Sequence, residues 1–106
     1  FEFYPTPPSA IQAFLSVEPF EGDICEPACG DIAIALTVAA GYDVIATDIT
    51  DWGYGYAGYD FLTQDKPLAR NIVTNPPYGW GMADKFVQKA LAFTADTGGR
   101  VAMLLN

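Results

Sequence analysis

The residues best equipped for chemistry are Asn75-Pro76-Pro77-Tyr78. They follow Asn71-Ile72-Val73-Thr74, a short β-branched run that predicts a buried strand. Proline lacks an N–H for the ladder and fixes φ, so the chain must leave the sheet at Pro76. The residue before a proline is driven out of the helical region, which holds Asn75 extended at the C-terminal edge of the strand. Ligands of open α/β sheets bind at that edge. The resulting platform is stiff and carries one amide, the carbonyls of Pro76 and Pro77, and the Tyr78 ring. These groups suit a planar substrate with an exocyclic amine. The Asn75 side-chain oxygen and a prolyl carbonyl can accept the two amine hydrogens while Tyr78 stacks on the ring. The competing reading of the same four residues is a proline-rich turn that only ends a strand.

Three further groups fall at predicted strand ends. Glu26-Pro27-Ala28-Cys29-Gly30 leaves one strand and enters an apolar helix, where a tight turn brings backbone N–H groups and a helix N-terminus up to a charged ligand. Asp48 comes about 20 residues after Glu26 and ends the next strand, the spacing at which an acid holds ribose hydroxyls. Asp60-Phe61 offers a carboxylate beside an aromatic ring, a pair able to bond an adenine amine and stack on its ring. Each has a structural alternative: solvated strand ends for Glu26 and Asp48, and a turn with a core aromatic for Asp60-Phe61. Taken together, in this order and ahead of Asn75, they point to an adenosine-containing cofactor.

The elements that must position these groups can be read from periodicity. Residues 8 to 17 form an amphipathic helix with Ile11, Phe14 and Leu15 on one stripe, started by Pro8 and ended at Glu18-Pro19. Asp23 to Glu26 is the first strand. Asp31 to Ala40 is a helix stopped by Gly41 and apolar nearly all round, so it should be deeply packed. Tyr42 to Thr47 is a strand, residues 49 to 59 are a Tyr/Gly-rich loop, and a short strand is expected near Asp60-Phe61. Met82 to about Thr94 is helical with Ala83, Phe86, Val87, Ala90 and Leu91 inward, Gly98-Gly99 ends it, and Arg100 to Leu105 is a last strand. Strands alternating with helices predict an α/β fold, a doubly wound, mostly parallel sheet of about five strands with helices on both faces.

Composition sets limits on function. A chain of 106 residues forms one domain at most, here 1–106, and 51% hydrophobic against 17% charged residues marks it as globular rather than disordered. The longest apolar run, Ile32 to Ala40, is far short of a membrane span, and Phe1-Glu2-Phe3-Tyr4 has no signal-peptide pattern. A start at Phe1 rather than Met reads as the loss of preceding residues. Cys25 and Cys29 with no histidine predict buried thiols in a reducing cytoplasm and no metal site. The net charge of −8, with Lys66, Arg70, Lys85, Lys89 and Arg100 scattered, argues against a free-standing nucleic-acid binder.

Tyr4-Pro5-Thr6-Pro7-Pro8, Glu26-Pro27-Ala28-Cys29-Gly30-Asp31, Asp48, Asp60-Phe61 and Asn75-Pro76-Pro77-Tyr78 together resemble the ordered motifs of the DNA adenine-N6 methyltransferases of the phage and prophage type. The match covers nearly the whole chain. It implies a Rossmann-like class I methyltransferase core, S-adenosyl-L-methionine as cofactor and DNA as the substrate of the complete protein, with weak or no DNA binding by this segment alone. By the same resemblance Thr6 and Pro7 would touch the methionine carboxylate, and Glu26, Ala28 and Gly30 would line the methionine end. Asp48 would hold the ribose, and Asp60 and Phe61 the adenine. Asn75 and the Pro76 carbonyl would hold the target amine, with Pro77 stiffening the turn and Tyr78 stacked on a flipped base. Trp80 would add an apolar contact there or belong to the core or rim, and the loop at 51 to 59 would close over a ligand or pack on its own rings.

Two features depart from the family. Ile32 stands where a second glycine is usual, and a branched side chain there would crowd the cofactor or widen the turn. The chain also stops at Asn106, before the hairpin and target-recognition sequence, so it reads as a truncated catalytic core. The same chemistry on guanine in RNA or on protein glutamine is an alternative, as is a non-catalytic cofactor-binding remnant. A nicotinamide oxidoreductase would need G-x-G-x-x-G after the first strand, which is missing.

Overall fold

The computed structural model describes residues 2–5, 8–17, 19–27, 32–50, 53, 55–76 and 81–105. Five strands form one sheet: β1 (Glu2–Pro5), β2 (Ile24–Glu26), β3 (Val44–Ala46), β4 (Asn71–Thr74) and β5 (Val101–Leu105). Their spatial order is β1-β5-β4-β2-β3, and all four pairings are parallel. Three α-helices, α1 (Pro8–Val17), α2 (Ile32–Ala39) and α3 (Met82–Thr97), connect them.

Strand residues alternate between two cores, as a pleat with side chains on opposite faces requires. Ile24, Val73 and Ala102 pack with Ile11 of α1 and with Ile34 and Val38 of α2. Cys25, Ile72, Val101 and Met103 pack with Phe86, Ala90 and Phe93 of α3 and with Phe61. Helices therefore cover both faces. Every residue of β4 is buried, the signature of a parallel strand enclosed on both sides.

The chain runs outward in opposite directions from the sheet centre. From β2 it passes through α2 to β3 on one flank, and from β4 through α3 to β5 on the other. Between the adjacent β2 and β4 the winding reverses, which opens a crevice at their C-terminal ends.

Four details differ from the sequence reading. Residues 61–63 form a 3₁₀ turn rather than a strand, because the Asp60 carboxylate caps it by accepting the Leu62 N–H at 3.1 Å. The fifth strand is instead β1, which pairs with β5 although its Pro5 cannot donate to the ladder; the outer edge of a sheet tolerates that. α3 runs to Thr97, where Gly98 at φ 74° donates its N–H to Thr94 O. Last, Leu91 of α3, expected inside, is 40% exposed, and α2, expected to be deeply packed, leaves Leu36 62% exposed. A short helix lying on one sheet face can bury only one side, whatever its composition.

Candidate functional site

The C-terminal edge of the sheet gathers the described candidate residues. Glu26 ends β2 and is only 1% exposed. Its backbone carbonyl accepts the Thr47 N–H at 2.9 Å from the end of β3. Its Oε1 accepts the Thr74 hydroxyl at 2.6 Å from the end of β4. Glu26 is thus tied to both neighbouring strands, through its carbonyl to Thr47 and through its carboxyl group to Thr74.

Asn75 and Pro76 follow directly. Asn75 is half-buried with Oδ1 withdrawn from solvent, and Pro76 is buried. The chain leaves the sheet at these residues, as the prolines predict. Neither lines the cavity described next.

Asp48, Asp60 and Phe61 come together around one cavity of about 220 Å³, whose wall also includes Pro27, Met82 and Phe86. Two carboxylate residues stand in a largely apolar lining. The volume is below the roughly 300–1,000 Å³ of pockets for drug-sized ligands, so the cavity fits one part of such a molecule. Asp48 is fixed by its neighbours: its Oδ1 accepts the Thr50 N–H at 2.9 Å, and its backbone bonds Tyr56 and Tyr59. The Leu62 N–H occupies one of the roughly four acceptor positions of the Asp60 carboxylate, while the Asp60 carbonyl receives the Thr63 N–H and the Thr63 and Gln64 side chains.

Phe61 differs from its expected role. It is 2% exposed and packs against Phe86 at 5.0 Å and edge-on to Phe93 at 5.6 Å. Its ring belongs first to the α3 core and only borders the cavity, so the structural alternative accounts for most of its surface. Thr6, Pro7, Ala28, Gly30, Pro77 and Tyr78 lie outside the described residues, as do Cys29, Trp52, Tyr54 and Trp80. Of Ile32, the backbone opens α2.

Several residues at this edge carried no signal in the sequence reading. Thr74 and Thr47 look like ordinary strand residues until their hydroxyl and N–H are seen on Glu26. Tyr59 was grouped with the loop rings, yet it lines the cavity and packs beside Cys25. Burial, with a smaller contribution from Cys25, pushes its hydroxyl up to about 12, so it remains a neutral donor under ordinary conditions. The Tyr/Gly loop is stitched to β3 by Tyr56 N–H to Ala46 O at 2.9 Å and Asp48 N–H to Tyr56 O at 3.0 Å, which covers part of an exposed strand edge. Gly55, at φ +69°, permits this, since a Cβ there would meet Ala46 O at 2.5 Å.

Three of the cations are engaged structurally. Arg100 lies over Phe20 at 5.2 Å, Lys89 over Phe93 at 5.0 Å, and Arg70 Nη2 donates to Gly98 O at 3.2 Å. Among the described residues, no three His, Cys, Asp or Glu side chains group as metal ligands, and no helix is long and apolar enough to cross a membrane.

Comparison with known proteins adds no relative: no protein-family model, curated protein or solved structure matches the chain.

Proposed function

We propose that the chain is the core of an S-adenosyl-L-methionine-dependent N-methyltransferase. The observation that carries this reading is the placement along one edge of the sheet, its C-terminal edge, of the buried Glu26, the Asp48–Asp60 cavity and the Asn75-Pro76 exit. Within that class the substrate we assign is N6 of adenine in DNA, acted on in a reducing cytoplasm. The Tyr4-Pro5-Thr6-Pro7-Pro8 and Glu26-Pro27-Ala28-Cys29-Gly30 motifs support that choice over RNA guanine or protein glutamine, which share the Asn75-Pro76-Pro77-Tyr78 chemistry.

The cavity suits the adenosine end of the cofactor. Its apolar wall of Met82 and Phe86 takes a heterocycle, and the carboxylates of Asp48 and Asp60 accept from ribose hydroxyls and an exocyclic amine. Thr6, Pro7, Glu26, Ala28 and Gly30 are assigned to the methionine end by their motifs. When bound, the cofactor supplies an electrophilic sulfonium methyl group. The chain's own part is positioning: the Asn75 side-chain oxygen and the Pro76 carbonyl accept the amine hydrogens and aim the nitrogen lone pair, while Tyr78 stacks on the base. Taking a base out of a duplex costs a few kcal/mol, which stacking offsets in part. The proton released by the methylated amine would pass to water, so no side chain has to act as general base in this scheme.

Titration calorimetry with S-adenosylmethionine and its demethylated product tests the cofactor assignment, and transfer of labelled methyl groups to DNA, RNA and protein offered in parallel tests the substrate. Binding by the folded chain with label in DNA adenine is the expected result. A folded chain that binds neither compound overturns the reading. The charge of −8 further predicts no sequence-selective binding of duplex DNA by these residues alone, which fluorescence anisotropy at low salt checks.

A further inference from the structure

We infer that Thr74 is a positioning residue that sets the Glu26 carboxylate for the cofactor, an inference that rests on the proposed methyltransferase reading. Thr74 is fully buried, Glu26 is 1% exposed, and the hydroxyl-to-carboxylate bond of 2.6 Å spans the two strands between which the winding reverses. Burying a carboxylate in a sheet is costly, and well-packed apolar residues of similar size often serve stability as well or better. Valine at position 74 would match threonine in shape and in preference for strands but would take this donor away from the buried Glu26. The threonine hydroxyl therefore has a purpose at this point beyond filling space.

That purpose follows from the geometry. Glu26 is held at its carbonyl by the Thr47 N–H and at Oε1 by Thr74, so both its backbone and its side-chain direction are fixed. Fixing Oε1 also fixes the direction of the carboxyl group of Glu26, the residue that ends β2 and whose motif assigns it to the methionine end of the cofactor. Thr74 is covalently next to Asn75, the residue assigned to the substrate amine. One side chain thus registers the cofactor-facing acid of β2 against the substrate-facing exit of β4. A site for two reactants needs such a registration, because misplacement by about 1 Å costs about 100-fold in rate.

The test compares Thr74→Val, Thr74→Ala and Thr74→Ser in the full chain, with S-adenosylmethionine affinity read by calorimetry and folding by circular dichroism and thermal unfolding. Thr74→Val keeps the shape and removes the hydroxyl, and we expect about tenfold or greater loss of affinity, in line with a hydrogen bond to a charged group. Thr74→Ser restores the hydroxyl and should bring affinity back to within about threefold, even though it loses a buried methyl group and some stability. Affinity that follows the hydroxyl between folded variants of similar melting temperature is the result a merely structural role does not give. If Thr74→Val does not fold, Thr74→Ala against Thr74→Ser provides the same contrast. Unchanged affinity in a folded hydroxyl-less variant overturns the inference while leaving the methyltransferase reading intact, as does an equal loss in Thr74→Ser. Absence of binding by the folded parent chain overturns both.

Discussion

The two ends of the sheet use polar side chains in opposite ways. At the N-terminal edge, Asn71 is 1% exposed and satisfied on both sides of its amide. Its Nδ2 donates to Glu21 O at 2.7 Å and Asp23 O at 3.0 Å, and its Oδ1 accepts the Arg100 N–H at 2.9 Å. Around it, Asp23 Oδ1 accepts the Arg70 N–H and Thr97 Oγ1 donates to Arg70 O, each at 2.7 Å. These bonds join three loops into a closed network. At the C-terminal edge, Glu26 bonds Thr74 while Asp48 and Asp60 line a cavity. The comparison teaches that one edge satisfies its polar groups among themselves, while the other leaves two carboxylates on a cavity wall, where the proposed cofactor is assigned.

The comparison can be broken most severely at Gly99. A Cβ there would overlap the Arg70 carbonyl, and backbone cannot give way as a flexible side chain can. Gly99→Ala should cost about 3 kcal/mol or more and lower the melting temperature by roughly 10 °C or more, with cofactor affinity of the folded fraction unchanged. A melting temperature that barely moves would show that the N-terminal edge is not the rigid end.

Asn75→Ala tests the other edge and should give the mirror image. Methyl transfer should fall by about 100-fold, the loss typical of one group that stabilises a transition state, while cofactor affinity and melting temperature stay close to the parent's. Single-turnover kinetics beside calorimetry checks this. Loss of cofactor binding instead would mean that the two ligand assignments are exchanged.

Asp60 belongs to both patterns, which sharpens the contrast. Asp60→Ala removes a cap and a cavity carboxylate, so about 1 kcal/mol of stability and about tenfold in cofactor affinity should be lost together. Asp60→Asn keeps a capping oxygen but not the charge, so stability should return and affinity should stay low. Thermal melts and calorimetry on the pair separate the two roles.

The smallest effect concerns Tyr59. Its hydroxyl ionises near 12 in the folded chain against 10.0 for an ordinary tyrosine, so the folded state holds the proton more tightly. The stability this confers is fully present below pH 10 and is lost as pH rises from 10 towards 12. Tyr59→Phe should therefore show a shallower fall in stability than the parent over that window, measured by denaturant titration at several pH values. Equal slopes would place Tyr59 in a more solvated setting than its packing beside Cys25 implies.

Much of this molecule follows from local rules. Periodicity located α1 at Pro8–Val17 and α3 from Met82 to within a turn of its end at Thr97, and apolar runs located β3 and β4. Proline geometry set the exit at Asn75-Pro76, since φ restriction and a missing N–H act wherever those residues stand. The order of motifs also brought Asp48 and Asp60 forward as candidates for one site. Only the tertiary structure decided the rest. It gave the Asp60 carboxylate to the Leu62 N–H, which made a capped turn where a strand was expected. It gave the Phe61 ring to Phe86 and Phe93, because the α3 core lies on that side. It put Asn71 in a network with Glu21, Asp23 and Arg100, and it set Thr74 on Glu26, partners 48 residues apart in the chain. A hydroxyl or an amide in a strand has no periodic signature. Its partner lies across the sheet, and which strands become neighbours is settled by packing two cores at once.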